Sequence, residues 1–141
     1  MIKMVNYWLW VEKEGGIDEE MIPGETWHWF GCDYDTEEGD LILIYRTLPY
    51  KHIQYLVRAT SDSQLESKYL PDEIYKCDFE VLYDFGENSL KIDVMRNNNK
   101  LSDWYPLKVS FVKMKFPIEE DYWEILKEIL LEKNPDSQNE W

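Results

Sequence analysis

The sequence has few of the residues that hold metals, cofactors or a disulfide framework. It contains two cysteines, Cys32 and Cys77, no CxxC pair, and two histidines, whereas a zinc site needs three or four ligands. Among six glycines only Gly15 and Gly16 are adjacent, which indicates a turn and not a phosphate-binding loop. We therefore expect no metal, no cofactor and no catalytic residues.

Long apolar runs are also absent. No stretch approaches the roughly 20 apolar residues that cross a bilayer. Residues 1–11 have neither a long apolar core nor a small-residue cleavage site, so we expect no signal peptide. Together with the low cysteine content, these absences predict a reduced, cytoplasmic protein that does not associate with membranes.

Basic residues are scarce: 15 Lys and Arg stand against 29 Asp and Glu, for a net charge of -14. A nucleic-acid backbone requires positive charge, so this balance argues against such a ligand at first. The acids are concentrated, however. Residues 12–40 carry eleven acids and one base, and residues 119–141 carry eight acids and two bases, whereas residues 41–118 carry ten acids and eleven bases. The middle of the chain can still face a phosphate.

What the sequence does have is apolar and aromatic residues. With 44% hydrophobic residues in 141, the chain is long enough for one domain, which we place at 1–134, followed by a flexible tail at 135–141. Aromatic residues make up 16%, with seven Trp and ten Tyr. Large aromatics usually fill cores, but they also suit a protein that holds flat ligands.

Six segments show the apolar runs or the alternation that are typical of strands. They are 7–11, 41–45, 52–60, 77–83, 90–94 and 107–111. One later segment, 118–129, has helical spacing, acids near its start and Asn134-Pro135 beyond its end. We predict a mainly β (α+β) fold: a small mixed β-barrel of five to six strands with short peripheral helices and a C-terminal helix.

Three short motifs carry a family resemblance. They are YWLW at 7–10, TWHWFG at 26–31 and GDLILIY at 39–45. In this order they resemble the EVE domain of the PUA-like superfamily, which is related to the YTH and ASCH domains, over roughly residues 6–131. The resemblance implies a PUA-like barrel that reads a methylated base in DNA or RNA by holding it between aromatic rings. Many EVE domains follow the tryptophan loop with a helix bearing Arg and Asn, whereas residues 32–38 here are short and acidic.

The candidate ligand site combines same-face tryptophans with polar residues that follow a buried strand. Residues two apart on an extended segment face the same side, and barrel sites tend to lie where strands enter loops. The alternative for each residue is an ordinary core or ion-pair role. We expect the pocket to be lined by Trp10, Trp27, Trp29 and Tyr45, with Arg46, Thr47 and Tyr50 at its mouth.

Two other functions fit the same sequence. An acidic protein-interaction module would bind a basic partner and use its aromatics as core. A small enzyme would use Cys32 as a nucleophile, which requires a base and an orienting group nearby. The aromatic pattern favours the base reader over both.

Overall fold

A continuous mixed sheet forms the body of the protein. The computed structural model describes residues 4–13, 20–66 and 73–141. The strands are β1 (Tyr7–Glu12), β2 (Thr26–Cys32), β3 (Leu41–Arg46), β4 (His52–Ala59), β5 (Gln64–Leu65), β6 (Tyr75–Asp84), β7 (Leu90–Lys91) and β8 (Lys115–Pro117). The sheet order is β2-β6-β4-β3-β1-β8, with β5 added beside β6 and β7 beside β4.

The helices in the described part of the chain are short, apart from one near the C-terminus. They are α1 (Ile92–Arg96), α2 (Tyr105–Lys108) and α3 (Glu120–Lys133), with 3-10 turns at Gly86–Asn88 and Pro135–Glu140. None of these helices is long and apolar enough to cross a membrane. All of them are peripheral to a curled sheet, as the sequence predicts.

The curled sheet is apolar on both faces, because one face lines the barrel interior and the other is covered by helices. We call the two groups of buried residues the interior cluster and the helix-side cluster. Side chains alternate along β1 and β3, so each strand contributes to both. The interior cluster includes Trp8, Trp10, Met21, Trp29, Ile42, Ile44, Tyr55, Val57 and Phe79. The helix-side cluster includes Leu9, Val11, Leu43, Tyr45, Trp104, Leu107, Phe111, Trp123 and Leu126.

Four predicted strands are confirmed as β1, β3, β4 and β6, whereas the segment 90–94 keeps only its first two residues in a strand and 107–111 is not a strand. After two residues of β7 the chain turns into α1, because Ile92 and Met95 are three apart and both face the core. Pro106 occupies the first turn of α2 and cannot donate to a sheet. In 90–94 the buried pair Ile92 and Met95 follows the helical period, and in 107–111 the helix ends at Lys108 and is followed by positive φ at Ser110 and Phe111.

Two further expectations differ from the structure. The TWHWFG segment is the strand β2, paired antiparallel with β6, and not a loop. The segment 135–141 is ordered against the core and is not a flexible tail: Ser137 is fully buried, and the Trp141 ring lies 5.6 Å from that of Trp123 and 6.0 Å from that of Phe85. The polar composition of this segment predicts a flexible tail, but the single large side chain of Trp141 anchors it to the core.

Asp40 fixes the start of the parallel β1–β3 pair. Its carboxylate is fully buried and accepts three hydrogen bonds: from the Asn6 backbone N–H at 3.1 Å, from Trp8 Nε1 at 2.9 Å and from the Glu37 backbone N–H at 2.9 Å. Buried charge is tolerated only when it is bonded in this way. The Gly-Asp turn therefore ties the first strand to the third through a side chain.

Replacing Asp40 with Asn should lower the free energy of unfolding by about 2 kcal/mol or more. The amide keeps the size of the side chain but places an NH₂ group against N–H donors and removes the charge, and charge-assisted bonds contribute about 1.5–3 kcal/mol each. Urea unfolding measures the change. Asp35→Asn, an exposed carboxylate nearby, is the control and should stay within about 0.5 kcal/mol. Equal stability of the two variants would refute the role of Asp40.

Replacing Leu126 with Ala should destabilise the protein by about 2–5 kcal/mol, because Leu126 is fully buried between α3 and the sheet. Glu128→Ala on the exposed side of the same helix is the matched control. Thermal or urea unfolding compares the two. A Leu126→Ala variant as stable as the control would show that α3 does not contribute to the core.

Candidate functional site

Three tryptophans of the predicted pocket come together on the interior face. Trp10 and Trp29 stack with ring centroids 4.9 Å apart and planes at 12°, and the Phe79 ring meets both edge-on. Trp27, on the same side of β2 as Trp29, is partly buried against this cluster. The prediction that Trp27 and Trp29 share a face is confirmed by the strand that carries them.

The indole N–H groups of these tryptophans are the unusual feature of the interior. Nε1 of Trp10, Trp27 and Trp29 are all buried, and none has a hydrogen-bond partner among the described residues. Trp8, by contrast, donates to Asp40. Buried donors are rarely left unbonded, and each such group costs about 1–3 kcal/mol. Three of them in one cluster mark a place where acceptor groups would be stabilised.

The two edges of the sheet, β2 on one side and β8 with its neighbour β1 on the other, approach each other beside this cluster. Lys115 Nζ donates to the Cys32 carbonyl oxygen at 3.2 Å. Gly31 has a φ of +104°, and a Cβ there would come within 2.6 Å of Met114 Cε. Glycine is therefore required at this bulge of β2, both for its φ and for the close approach of the Met114 side chain. The two edges of the sheet are brought together but not joined by a strand ladder.

Tyr45 does not line the interior, which corrects the predicted pocket. It follows Ile44, which faces the interior, and so points to the opposite side of the sheet. There it stacks on Phe111 with ring centroids 3.8 Å apart, and burial raises the pKa of its hydroxyl to about 12. An apolar strand covered on both faces gave no sequence signal for which side Tyr45 would take.

Arg46 is part of a buried ion pair. Its Nε donates to Glu12 Oε2 at 2.8 Å, and both side chains are about 95% buried. Burial alone would lower the pKa of Arg46, but the hydrogen bond and the charge of Glu12 outweigh it, so the pKa is raised and the group stays charged. The guanidinium that we expected at an open mouth is held inside the end of the sheet.

A β-bulge supplies the next partner. The register between β3 and β4 passes from Ile44 opposite Tyr55 to Tyr45 opposite Ile53, so Gln54 is the extra residue. Gln54 Oε1 accepts from Arg46 Nη1 at 3.1 Å, and Gln54 Nε2 donates to Asp84 Oδ1 at 3.1 Å. The bulge also moves Ile53 to the helix-side cluster, whereas simple alternation predicts that it shares a face with Tyr55.

His52 and Tyr50 complete this polar end of the barrel. Gln54 Oε1 can only accept, so His52 Nε2, 3.0 Å away, carries the proton. Burial lowers the pKa of His52, with Gln54 opposing the shift and Arg46 adding to it. The ring of Tyr50 is half-exposed and contacts both Arg46 and His52. Arg46 Cζ lies 3.9 Å from the centroid of the Tyr50 ring, and the His52 ring stacks on it with centroids 5.6 Å apart. Thr47 Oγ1 donates to the Glu12 carbonyl oxygen.

The predicted site is therefore two groups and not one pocket. Trp10, Trp27 and Trp29 form the interior group; Arg46, Thr47 and Tyr50 form a polar group at the end of β3. Sequence reasoning missed Glu12 and Gln54, which position Arg46. In the sequence, Glu12 is an acid at the end of one strand and Arg46 is a base at the end of another. Their pairing can be recognised only once the parallel register is known, because that register places Glu12 opposite Arg46.

The cysteines lie in the interior cluster. Cys32 and Cys77 are both free and fully buried. A hydrogen bond from the Cys77 thiol lowers the pKa of Cys32, whereas that bond and burial raise the pKa of Cys77. A nucleophile must touch its substrate, and the burial of Cys32 offers no support for an enzyme that uses it. No group of three or more His, Cys, Asp or Glu among the described residues could hold a metal ion.

Comparison with known proteins identifies the fold. No protein-family model matches the chain, and no curated protein matches it. Solved structures do. A protein of Rhodopseudomonas palustris is 15% identical, with a TM-score of 0.72 over 89% of this chain and 92% of its own. A protein of Agrobacterium tumefaciens is 20% identical, with a TM-score of 0.69 over 92% and 94%.

A third similar structure comes from a human protein. The DUF55 domain of human thymocyte nuclear protein 1, which has an EVE/PUA-like fold, is 11% identical, with a TM-score of 0.66 over 88% of this chain and 98% of its own. At such identities the likeness concerns the fold alone. The chain is a small PUA-like β-barrel, and the resemblance to the EVE domain is confirmed at that level.

Breaking the Glu12–Arg46 pair from one side should be strongly destabilising. Arg46→Met leaves the Glu12 carboxylate buried without its guanidinium, at a cost of about 3–5 kcal/mol, and Glu12→Met/Arg46→Met should recover part of that loss. Arg58→Met is the control, because Arg58 forms an exposed pair with Glu80 at 3.0 Å and should change stability by less than about 1 kcal/mol. Urea unfolding measures all three. A double variant less stable than Arg46→Met would contradict this account.

Proposed function

We propose that the protein is a nucleic-acid-binding module that accepts a modified, methylated base at the interior tryptophan group. The observation that carries the proposal is a set of three buried indole N–H groups on stacked and neighbouring rings, none with a hydrogen-bond partner in the part of the chain that the structure describes. A nucleobase has flat faces for stacking, and ring nitrogens and carbonyl oxygens that accept hydrogen bonds. Few other ligand classes offer both in one rigid plane.

The closed stack of Trp10 and Trp29 limits how a base can bind. With ring centroids 4.9 Å apart, there is no space between them for a third ring, which needs contact distances of about 3.5 Å on each side. A base that enters must displace the ring of Trp10 or Trp29. It then replaces the one stacking contact between the two tryptophans with two contacts, one to each ring. The net gain is then about one base–aromatic stack, or about 1–3 kcal/mol, together with the indole hydrogen bonds.

Trp29 is the ring that can move. It lies on β2, at the edge of the sheet, whereas Trp10 is held in β1 between β3 and β8. Extraction of a base from its strand costs a few kcal/mol, so we expect weak binding overall. One methyl group buried on the ligand adds about 0.8 kcal/mol, or about a fourfold preference.

The indole N–H signals in an NMR spectrum test this proposal directly, because each of the seven tryptophans gives one signal. Titration with methylated and unmodified nucleosides to millimolar concentration should shift the signals of Trp10, Trp27 and Trp29. The Trp8 signal, fixed by Asp40, should stay in place. Trp29→Phe keeps a stacking ring but loses one donor, and should weaken binding about two- to twelvefold.

Trp104 provides the matched control. Its Nε1 is also buried and unpartnered among the described residues, but the ring lies in the helix-side cluster. Trp104→Phe should leave nucleoside affinity unchanged. If no nucleoside shifts the three interior signals, or if Trp104→Phe weakens binding as much as Trp29→Phe, the base-reader proposal fails and the acidic interaction module takes its place.

A further inference from the structure

Positive charge is concentrated in one segment of this acidic chain. Residues 88–117 carry six basic and two acidic residues, although the chain as a whole has a net charge of -14. This segment contains β7, α1, α2 and β8. It is the part whose helices replaced two predicted strands, so its surface could not be derived from the strand pattern.

Four cations define a basic surface along this segment and the loop before β4. Their side chains are exposed, and none has an ion pair within the described ranges. They are Lys51, Lys91, Arg96 and Lys100. α1 contributes one acid, Asp93, to the same region. Exposed, unpaired cations retain their full charge for a ligand.

The backbone places Lys51 beside Lys91, and Arg96 and Lys100 follow Lys91 within nine residues of the chain. The Lys51 carbonyl oxygen accepts from the Ile92 N–H at 3.0 Å, which joins the loop to the start of α1. Lys91 lies opposite His52 in the β4–β7 pair, and Arg96 is the last residue of α1, which begins directly after Lys91. Lys100 follows in the turn after α1, where its N–H donates to Asn98 Oδ1.

The basic surface adjoins the polar end of the barrel. His52, opposite Lys91, stacks on Tyr50, and Tyr50 lies under Arg46. Arg46 in turn pairs with Glu12, two residues beyond Trp10 on β1. Asp40 lies at the opposite end of β3, about 20 Å from Arg46 at about 3.3 Å per residue.

We infer that the basic surface formed by Lys51, Lys91, Arg96 and Lys100 binds the phosphodiester backbone next to the bound base. This inference rests on the proposed function and adds where the strand runs. Arg46, neutralised by Glu12, stabilises the barrel end and leaves the phosphates to the exposed cations. Each phosphate contact releases counterions, so binding of an oligonucleotide weakens with salt in proportion to the number of contacts.

A salt titration of oligonucleotide binding tests this inference. The probes are short single-stranded DNA and RNA with one methylated base, and the variant is Lys51→Gln/Lys91→Gln/Arg96→Gln. Single strands lose about 0.7 in the log–log salt slope per phosphate contact, so the slope should fall by about 2 and affinity by about tenfold or more at low salt. Comparison of the DNA and RNA arms identifies the natural backbone.

Arg58→Gln/Lys76→Gln is the control. It removes two cations near the opposite end of the sheet, where they form ion pairs with Glu80 and Glu66, and should not change the slope. The free methylated nucleoside has no phosphodiester, so its affinity should be the same in all three proteins.

The outcomes separate the two proposals. In one outcome the triple variant binds the nucleoside normally and keeps the oligonucleotide salt slope of the wild type; in another the control loses as much oligonucleotide affinity as the triple variant. Either result overturns the basic surface but leaves the base-reader proposal intact. Loss of nucleoside binding itself counts against the base reader. If poly-glutamate binds as tightly as the oligonucleotides, and the triple variant loses both, the surface belongs to acidic protein partners. That result would overturn the inference.

Discussion

The parallel pairing of β1 with β3 is the constraint on which the rest of the structure depends. Sequential strands usually pair antiparallel through short turns, and a parallel pair requires a long connection. Here that connection includes β2, which crosses to the far edge of the sheet. Buried polar contacts fix both ends of the pair: Asp40 holds Asn6 and Trp8 at the start, and Glu12 holds Arg46 at the end.

These two contacts also decide which side chains meet inside the barrel. A slip of one residue would exchange the two faces of β1, moving Trp10 to the helix side and Leu9 to the interior. Because the register is fixed at both ends, Trp10 faces inward and meets Trp29 from the opposite edge of the sheet. The same alternation of side chains places Tyr45 on the helix side of the sheet, where it stacks on Phe111. The tryptophan group is thus a consequence of strand register.

The strands that could be predicted from sequence are those with one dominant pattern. β1, β3, β4 and β6 are apolar or alternating over five residues or more, and turn residues bound them. The terminal helix was equally clear, since Leu126 and its neighbours repeat at helical spacing. In 90–94 the alternating pattern predicts a strand, but the buried pair is Ile92 and Met95, three apart as in a helix, so tertiary packing decided against the local pattern.

Site residues follow the same division. Trp27 and Trp29 are two apart within one strand, so their common face is a local property and could be derived. The partnership of Glu12 with Arg46 spans 34 positions, and the role of Gln54 depends on a bulge. Neither leaves a local signal, because each exists only once the register between distant strands is set. Ser137 and Trp141 show the same limit at the C-terminus, where a polar segment is held by one distant aromatic contact.

The arrangement of charge removes the objection that a net charge of -14 raises against a nucleic-acid ligand. At physiological salt the Debye length is about 8 Å, so exposed charges act over about one strand length or less. Asp40 and Arg46, at the two ends of β3, are separated by more than twice that distance. A phosphate near Lys91 therefore experiences mainly the cations around it and the few nearby acids, such as Asp93. Net charge still opposes the first approach of a strand at low salt, but local charge decides whether the bound strand stays.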